Sequence, residues 1–302
     1  MSGVLKGYMP FISIITICFN EAGKIEETCQ SVAAQTFSDY EWIVIDGGST
    51  DETVDIVRKY QSHLTYLSSE KDKGIYNAMN KGLKEAKGTY CIFLNGGDSF
   101  YASDVLEKYV ASYKDAAHHP DLLYGEAINE QTGEYIRYLK DQDININFFS
   151  MLRSLHHQAT FIKTSLFKTL GIYNESYRIA GDYDWWLRYF TRTAQPDIAY
   201  LDGKIAYFNT FGISFNPDHR KNLIQEALRA LLLNLKRSPI LASQSVYRFY
   251  RANYAFKGIR IAYFHISLTQ IIRILEILHL KKLVRYLYHK FIKKKDIMTE
   301  SA

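Results

Sequence analysis

Three short stretches set a carboxylate among small or aromatic neighbours: VIDGGSTDET around Asp46, IFLNGGDSF around Asp98 and AGDYDWWLR around Asp182. A fourth, HHQATFI, places His156 and His157 ahead of an apolar run. Around Asp98, a segment suited to a buried strand stops at Asn95, and Gly96 and Gly97 separate it from a single acid. That pattern fits a tight glycine turn with a helix-capping Asp, or a place where a ligand comes close to the backbone with a metal ion beside it. Asp46 is open in the same way, as a turn-former before Gly47 or as an ionised carboxylate accepting a hydrogen bond from a ligand N–H. Asp182 stands where a helix begins, with Asp184 as a first-turn acid favoured by the helix dipole.

The elements that must position these groups follow from periodicity. Residues 11–18 and 42–45 are short, β-branched and nearly all apolar, as strands covered on both faces are. Between them Ile25, Cys29 and Val32 recur at helical spacing, giving a β-α-β unit. Ser49 with Glu52 three residues on reads as a capping box for the next helix. A third strand near 63–67, a helix over 75–87 and a strand over 90–94 continue the alternation. The expectation is an α/β fold: a doubly wound, mostly parallel sheet with helices on both faces and ligands at the carboxyl ends of the strands. Asp46 and Asp98 both stand at such ends, aimed at one crevice. Residues 120–215 are mixed, with turn residues, aromatic-rich strand candidates and a helix from about Asp182. From about 220 the pattern is helical, with Pro239 separating two helices. We therefore expect one two-part domain, 1–115 and 116–217, followed by a basic helical extension, 218–302.

Composition removes several alternatives. Hydrophobic content of 47% with 23% charged residues excludes disorder over the whole length. Cys18, Cys29 and Cys91 are too few and too irregularly spaced for a disulfide framework or a zinc site, which points to reduced thiols in a cytosolic protein. The opening MSGVLKGYMPFIS lacks the apolar stretch of a secretion signal, and no run reaches the ~18 apolar residues a membrane span needs. The net charge of +5 is divided: 17 Lys+Arg against 5 Asp+Glu from Asp218 onward (+12), and 20 against 27 in residues 1–217 (−7). An acidic body speaks against nucleic acid as a partner.

Neither GxGxxG after the first strand nor GxxxxGK[ST] is present. What the chain carries in order is SIITICFNE, VIDGGSTDET, SEKDKGIYNAMNKG, IFLNGGDSF, HHQATFI and AGDYDWWLR. Over residues 10–215 these resemble the family 2 glycosyltransferases of GT-A fold, in particular bacterial enzymes that build exopolysaccharide and lipopolysaccharide. The resemblance implies inverting transfer of a sugar from a nucleoside diphosphate donor, a UDP-sugar first among them, to an acceptor hydroxyl on a glycan or a lipid-linked carrier. It implies that Phe19, Asn20 and Glu21 border the nucleotide, that Asp46 holds the base, and that Lys73 and Gly74 lie near the donor. Asp98 matches the last acid of the DxD-type motif, which binds Mg²⁺ or Mn²⁺ at the diphosphate, with Asn95, Gly96 and Gly97 alongside. Asp182 matches the catalytic base. His157, a better match than His156 to the family's HQ, is expected to meet diphosphate or acceptor, and Trp185 either to belong to the core, as such residues more often do, or to stack on the acceptor. Three positions depart from the family: Asn95 and Gly97 stand where many relatives carry acids, and Gly181 where many carry Glu. Metal affinity in the absence of donor should therefore be weak.

In the tail, Leu280, Leu283, Val284, Leu287 and Phe291 share one helical face, with Lys281, Lys282, Arg285, His289 and Lys293 opposite. Such a helix suits an anionic membrane surface, here over 270–295, and the seven Lys/Arg between 281 and 295 would each add about 1 kcal/mol. Packing on the body or on a second subunit is the other reading. The expected location is the inner face of the cytoplasmic membrane, peripherally bound. Two rivals share the expected fold: a catalytically silent glycan- or lipid-binding module, and a nucleotidyltransferase, whose N-terminal glycine-rich loop FNEAGKIEE does not supply.

Overall fold

The computed structural model describes residues 9–115, 119–136, 144, 154–210, 212 and 214–235. The first compact unit of the chain is Met1–Asn234. The membrane-facing segment 270–295 and the helix break at Pro239 lie outside the described residues.

The first half alternates as the sequence predicts. β1 (Ile12–Cys18) is buried along its whole length, and α1 (Ile25–Ala33) lays Ile25, Thr28, Cys29 and Val32 against the sheet. β2 (Tyr40–Asp46) pairs with β1 in parallel, in a register that sets Asp46 beside Cys18. α2 (Thr53–Arg58), β3 (Tyr66–Ser69), α3 (Ile75–Glu85) and β4 (Tyr90–Phe93) follow. β3 starts three residues later than the sequence suggested, because Thr65 N–H already donates to Trp42 O and leads the chain into the sheet edge. Ser49 and Glu52 form no capping box. Glu52 stands at the helix N-cap without a side-chain bond, and Asp51 instead accepts from the Thr53 N–H (3.1 Å) and hydroxyl (2.5 Å).

The second half adds β5 (Ser99–Phe100), α4 (Val105–Asp115), β6 (Leu122–Asn129), β7 (Tyr135–Ile136), β8 (Thr160–Lys163), α5 (Leu166–Leu170), α6 (Gly181–Arg192), β9 (Ile198–Phe208) and α7 (Arg220–Leu235). Among the described residues the sheet runs β3-β2-β1-β4-β8-β6-β9-β5, with β7 on β6. Strands β3 to β4 are mutually parallel, and β8 enters antiparallel to both β4 and β6. That reversal brings the turn before β8, with His157 and Gln158, to the carboxyl end of β4. β9 runs parallel to β6 and delivers Asn209 to the same edge. The core is continuous across both halves, from Ile12, Trp42 and Ile92 to Phe161 and Phe208. All three cysteines are buried and unpaired.

Candidate active site

The carboxyl ends of β1, β2 and β4 converge because the hydrogen-bonding pattern continues past the strands: Leu94 N–H donates to Ile15 O (2.9 Å) and Gly96 N–H to Ile17 O (2.8 Å). A cleft of about 370 Å³ opens there, lined by Phe19, Glu21, Asp72, Gly74, Tyr76, Asn95, Gly96, Asp98, His157, Gln158, Asp182, Asn209, Ser214 and Phe215 among others. Asp98 and Asp182, 84 positions apart in the chain, face one cavity.

The tight turn that the NGGD pattern suggested is present. Asp98 N–H donates to Asn95 O (2.9 Å), closing a tight turn whose third residue, Gly97, has φ +88°, a conformation that L side chains rarely adopt. A Cβ on Gly97 would also sit 2.9 Å from Asn209 Nδ2. Thr28 of α1 pins the turn, accepting from Gly97 N–H (2.9 Å) and donating to Asp98 O (2.7 Å). Asp98 itself is 3% exposed. Burial pushes its carboxyl up to about 6, against the opposing effects of Asn209 N–H, which donates to Oδ1 at 3.0 Å, His157 and Gln158. Glu21 also titrates above its ordinary value, through burial first and then the charges of Asp98 and Asp51.

Asn95 and His157 bridge the two acids. Asn95 Nδ2 lies 3.0 Å from His157 Nε2, and His157 Nδ1 lies 3.8 Å from Asp182 Oδ2. With the amide as donor, the ring proton resides on Nδ1, toward Asp182. Asp182 Oδ1 accepts from Tyr183 N–H (2.8 Å) and lies 3.2 Å from the Tyr76 hydroxyl. The helix N-cap is Ala180, so Asp182 is not spent on capping. Gly181 is explained by the same neighbour: a Cβ there would stand 2.7 Å from the Tyr76 ring.

Asn95 Oδ1 is buried with no hydrogen-bond partner. Together with the buried Asp98 carboxylate it offers hard oxygen donors of the kind Mg²⁺ and Mn²⁺ take, with room for phosphate oxygens and water. No group of three or more His, Cys, Asp or Glu able to hold a metal occurs among the described residues, so an ion held here would take further oxygens from the donor and water.

Five expected site residues, Asn20, Asp46, Lys73, Gly97 and Trp185, are not among those lining the cleft. Asp46 is fully buried and both its oxygens are occupied: Oδ2 accepts from Gly48 N–H (3.0 Å), Ser49 N–H (2.9 Å) and Ser69 hydroxyl (2.7 Å), and Oδ1 from Ser49 hydroxyl (2.5 Å). Burial alone would raise this carboxyl, but those bonds outweigh it and hold the group below its ordinary value. Asp46 therefore ties the loop after β2 to β3. Trp185 is 0% exposed, stacked at 4.6 Å on Phe167 with its indole N–H on Gly171 O (3.0 Å), and is core. Asn20, at φ +54°, latches the same loop by donating its N–H to the Ser49 hydroxyl and accepting from Thr50 N–H. Lys73 is exposed beside the α3 N-terminus, where its N–H donates to Asn77 Oδ1.

Asp72 was not marked by the sequence reading. It lines the cleft, its Oδ1 accepts from Gly74 N–H (2.8 Å), and its Oδ2 lies 2.6 Å from where a Gly47 Cβ would be. Phe19, 58% exposed, borders the same end. Tyr76, Thr28 and Asn209 were missed because each acts through a backbone group or a contact that only the fold creates. A second depression of about 440 Å³ is lined by Glu27, Ser31, Glu130 and Tyr207 among others, and its two acids are each paired with Lys24 at 3.3 Å.

Comparison with known proteins gives this arrangement its context. The model of the glycosyl transferase family 2 matches residues 13–168. A PGL/p-HBAD biosynthesis glycosyltransferase of Mycobacterium tuberculosis is 33% identical over 247 residues, covering 78% of this chain and 94% of that protein. An uncharacterized glycosyltransferase of Rickettsia prowazekii is 32% identical over 192 residues, 61% of this chain and 59% of its own. Residues 1–349 of S. aureus TarS, solved with UDP-GlcNAc, superpose with a TM-score of 0.67 at 19% identity, covering 88% of this chain and 80% of that one. Glucosyl-3-phosphoglycerate synthase of M. tuberculosis, in complex with Mn²⁺, UDP and phosphoglyceric acid, gives 0.53 at 15%, covering 74% and 78%. With a family match over half its length, a close relative along most of it and a GT-A-like fold, the chain belongs to glycosyl transferase family 2 and is a glycosyltransferase.

Proposed function

We propose that the protein is an inverting transferase that moves a sugar from a nucleoside diphosphate to an acceptor hydroxyl, in the assembly of bacterial surface glycans. The observation that carries this reading is the shared cleft of Asp98 and Asp182, bridged by Asn95 and His157. Asp182 accepts the proton of the acceptor hydroxyl as its oxygen bonds to the anomeric carbon. The bond from that carbon to the diphosphate oxygen breaks on the opposite face, and its electron pair leaves with the diphosphate, which inverts the centre. His157 holds its Nδ1 proton toward Asp182 and orients the carboxylate. Asp98 and Asn95 are the residues that would hold Mg²⁺ or Mn²⁺, which supplies positive charge to the departing diphosphate when bound.

The base is read by Asp72, whose Oδ2 is available where both oxygens of Asp46 are engaged, with Phe19 as the stacking face. UDP is the favoured nucleotide because the fold neighbours TarS and the mycobacterial synthase hold UDP-GlcNAc, UDP or UDP with Mn²⁺. Among the described residues no helix is long and apolar enough to cross a membrane. A peripheral membrane site through 270–295, facing a lipid-linked or glycan acceptor, is part of the same proposal. The two-part domain with a helical extension remains its architectural frame.

The test is transfer from a panel of nucleotide sugars with Mn²⁺, by wild type, Asp98→Asn and Asp182→Asn. A general base contributes on the order of 10²–10⁴ in rate, so Asp182→Asn should lose about that factor in kcat with donor KM little changed. Near-wild-type rates in both variants would remove the assignment.

A further inference from the structure

Asp182 sits one residue inside α6, so the backbone of 178–180 determines where its carboxylate points. Three successive N–H groups of that segment converge on one carboxylate from a distant part of the chain. Glu226 Oε2 accepts from Arg178 N–H (3.1 Å), Ile179 N–H (2.8 Å) and Ala180 N–H (3.0 Å), and Oε1 from Arg178 N–H (2.9 Å). Glu226 belongs to α7, a helix that the charge pattern had placed with the basic extension rather than with the sugar-transfer domain.

The opposite side of the segment is held too. The Tyr76 hydroxyl of α3 lies 2.5 Å from Ile179 O as well as 3.2 Å from Asp182 Oδ1. The loop is thus clamped between α3 and α7. Other α7 side chains meet neighbouring positions instead: Arg229 lies over the Tyr177 ring (5.1 Å) and donates to the Ser176 hydroxyl (3.4 Å), and Asn234 Nδ2 donates to Asp184 Oδ1 (2.9 Å). Ile179 and Ala180 are buried, so without Glu226 their N–H groups must move to find acceptors. They would carry Asp182 with them.

We propose that Glu226 is a positioning residue for Asp182: by gathering the 178–180 amides it fixes the start of α6 and with it the geometry of proton removal from the acceptor. The proposal rests on the reading of Asp182 as the base. A misplacement of about 1 Å in a reacting group costs on the order of 10²-fold in rate. The expected signature of Glu226→Ala is therefore a fall in kcat of about 20-fold or more with donor KM within about twofold, since no donor contact changes.

The experiment uses the full chain with Glu226→Ala, Glu226→Gln, Glu226→Asp and, as a control on the same helix, Asn234→Ala. Initial rates are taken with the UDP-sugar and acceptor that wild type uses, together with melting temperatures and hydrogen exchange of 176–184 by mass spectrometry. Glu226→Gln keeps one oxygen able to accept the three N–H groups and should recover most of kcat. Asn234→Ala should lower the melting temperature yet keep kcat. Faster exchange at 178–182 in Glu226→Ala, with the kcat loss and the Gln recovery, supports the proposal. A folded Glu226→Ala protein with wild-type kcat, or an equal kcat loss in Asn234→Ala, overturns it. Should the alanine variant not fold, Glu226→Asp, shorter by one methylene, decides on the same criterion. If Asp182→Asn retains wild-type rates, the reading of the base has failed instead; if Asp182→Asn is inactive and Glu226→Ala is not impaired, only the present inference has.

Discussion

Replacing Asp46 with alanine separates two roles that the VIDGGST motif leaves superimposed. If the side chain reads the base, the variant should bind donor poorly and fold normally; if it ties the loop after β2, the reverse. The structure supports the second. Four N–H or O–H hydrogen bonds end on its two oxygens, from Gly48, Ser49 twice and Ser69, at 2.5–3.0 Å, with a weaker one from the Cys18 thiol (3.7 Å), in a site with no exposure. At roughly 1 kcal/mol net for each of the four, the loss is about 4 kcal/mol. For a domain of this size that is a fall of roughly 10 °C in melting temperature. The sign of the pH effect follows as well. The folded carboxyl titrates below its unfolded value, so its contribution is complete above about pH 4 and fades as pH falls through the lower folded value. Asp72→Asn is the counterpart. It perturbs one exposed-loop bond, to Gly74, and should change stability by less than about 1 kcal/mol while raising donor KM about tenfold. Urea denaturation and donor KM, measured on both variants, decide. An Asp46→Ala protein as stable as wild type but with a tenfold higher donor KM would refute the reasoning.

Three further outcomes are expected. In EDTA the wild-type protein should lose stability as pH rises from about 4 to 6, because the buried Asp98 holds its proton to about 6 while the unfolded chain releases it near 3.8; about 2 pK units correspond to about 3 kcal/mol. Asp98→Asn should remove that slope in urea titrations and abolish the thermal shift produced by Mn²⁺ with UDP. Gly181→Ala should cost about 1–3 kcal/mol through its contact with the Tyr76 ring, and Tyr76→Ala in the same chain should recover part of it in a double-mutant cycle. The full chain should sediment with vesicles containing anionic lipid and lose that binding when 270–302 is deleted; no binding by the full chain would end the membrane proposal.

The parallel half of the fold was legible because a strand covered on both faces must be apolar throughout, and ISIITIC and YEWIVID are close to that. The turn at Gly96 and Gly97 was legible for a similar reason, since a positive φ leaves few choices of residue. Asp98, His157 and Asp182 were marked by motif order, and the fold brings them to one cleft. Asp46 and Trp185 mark the limit of such reading. A strand-end acid and a tryptophan one turn into a helix have the same residue type whether they face a ligand or a hydrogen-bonded interior, and only the packing around them separates the cases. Asp72 was invisible because its place in the cleft depends on the fold leaving room beside Gly47, where a Cβ would stand 2.6 Å from its Oδ2. Glu226 was invisible because its acceptor function is toward backbone N–H groups 46 to 48 residues away, which leave no trace in composition.

The space claimed by Tyr76 over Gly181 restricts how this sequence can change. At the position before Asp182, where the family resemblance leads one to expect glutamate, this chain has no room for even a methyl group while the tyrosine ring stays in place. A lineage moving from one arrangement to the other must therefore give up the aromatic ring first and accept the acid second. In an intermediate lacking both, the carbonyl of Ile179 would be without its hydroxyl donor, so the two sites should be inherited as a pair.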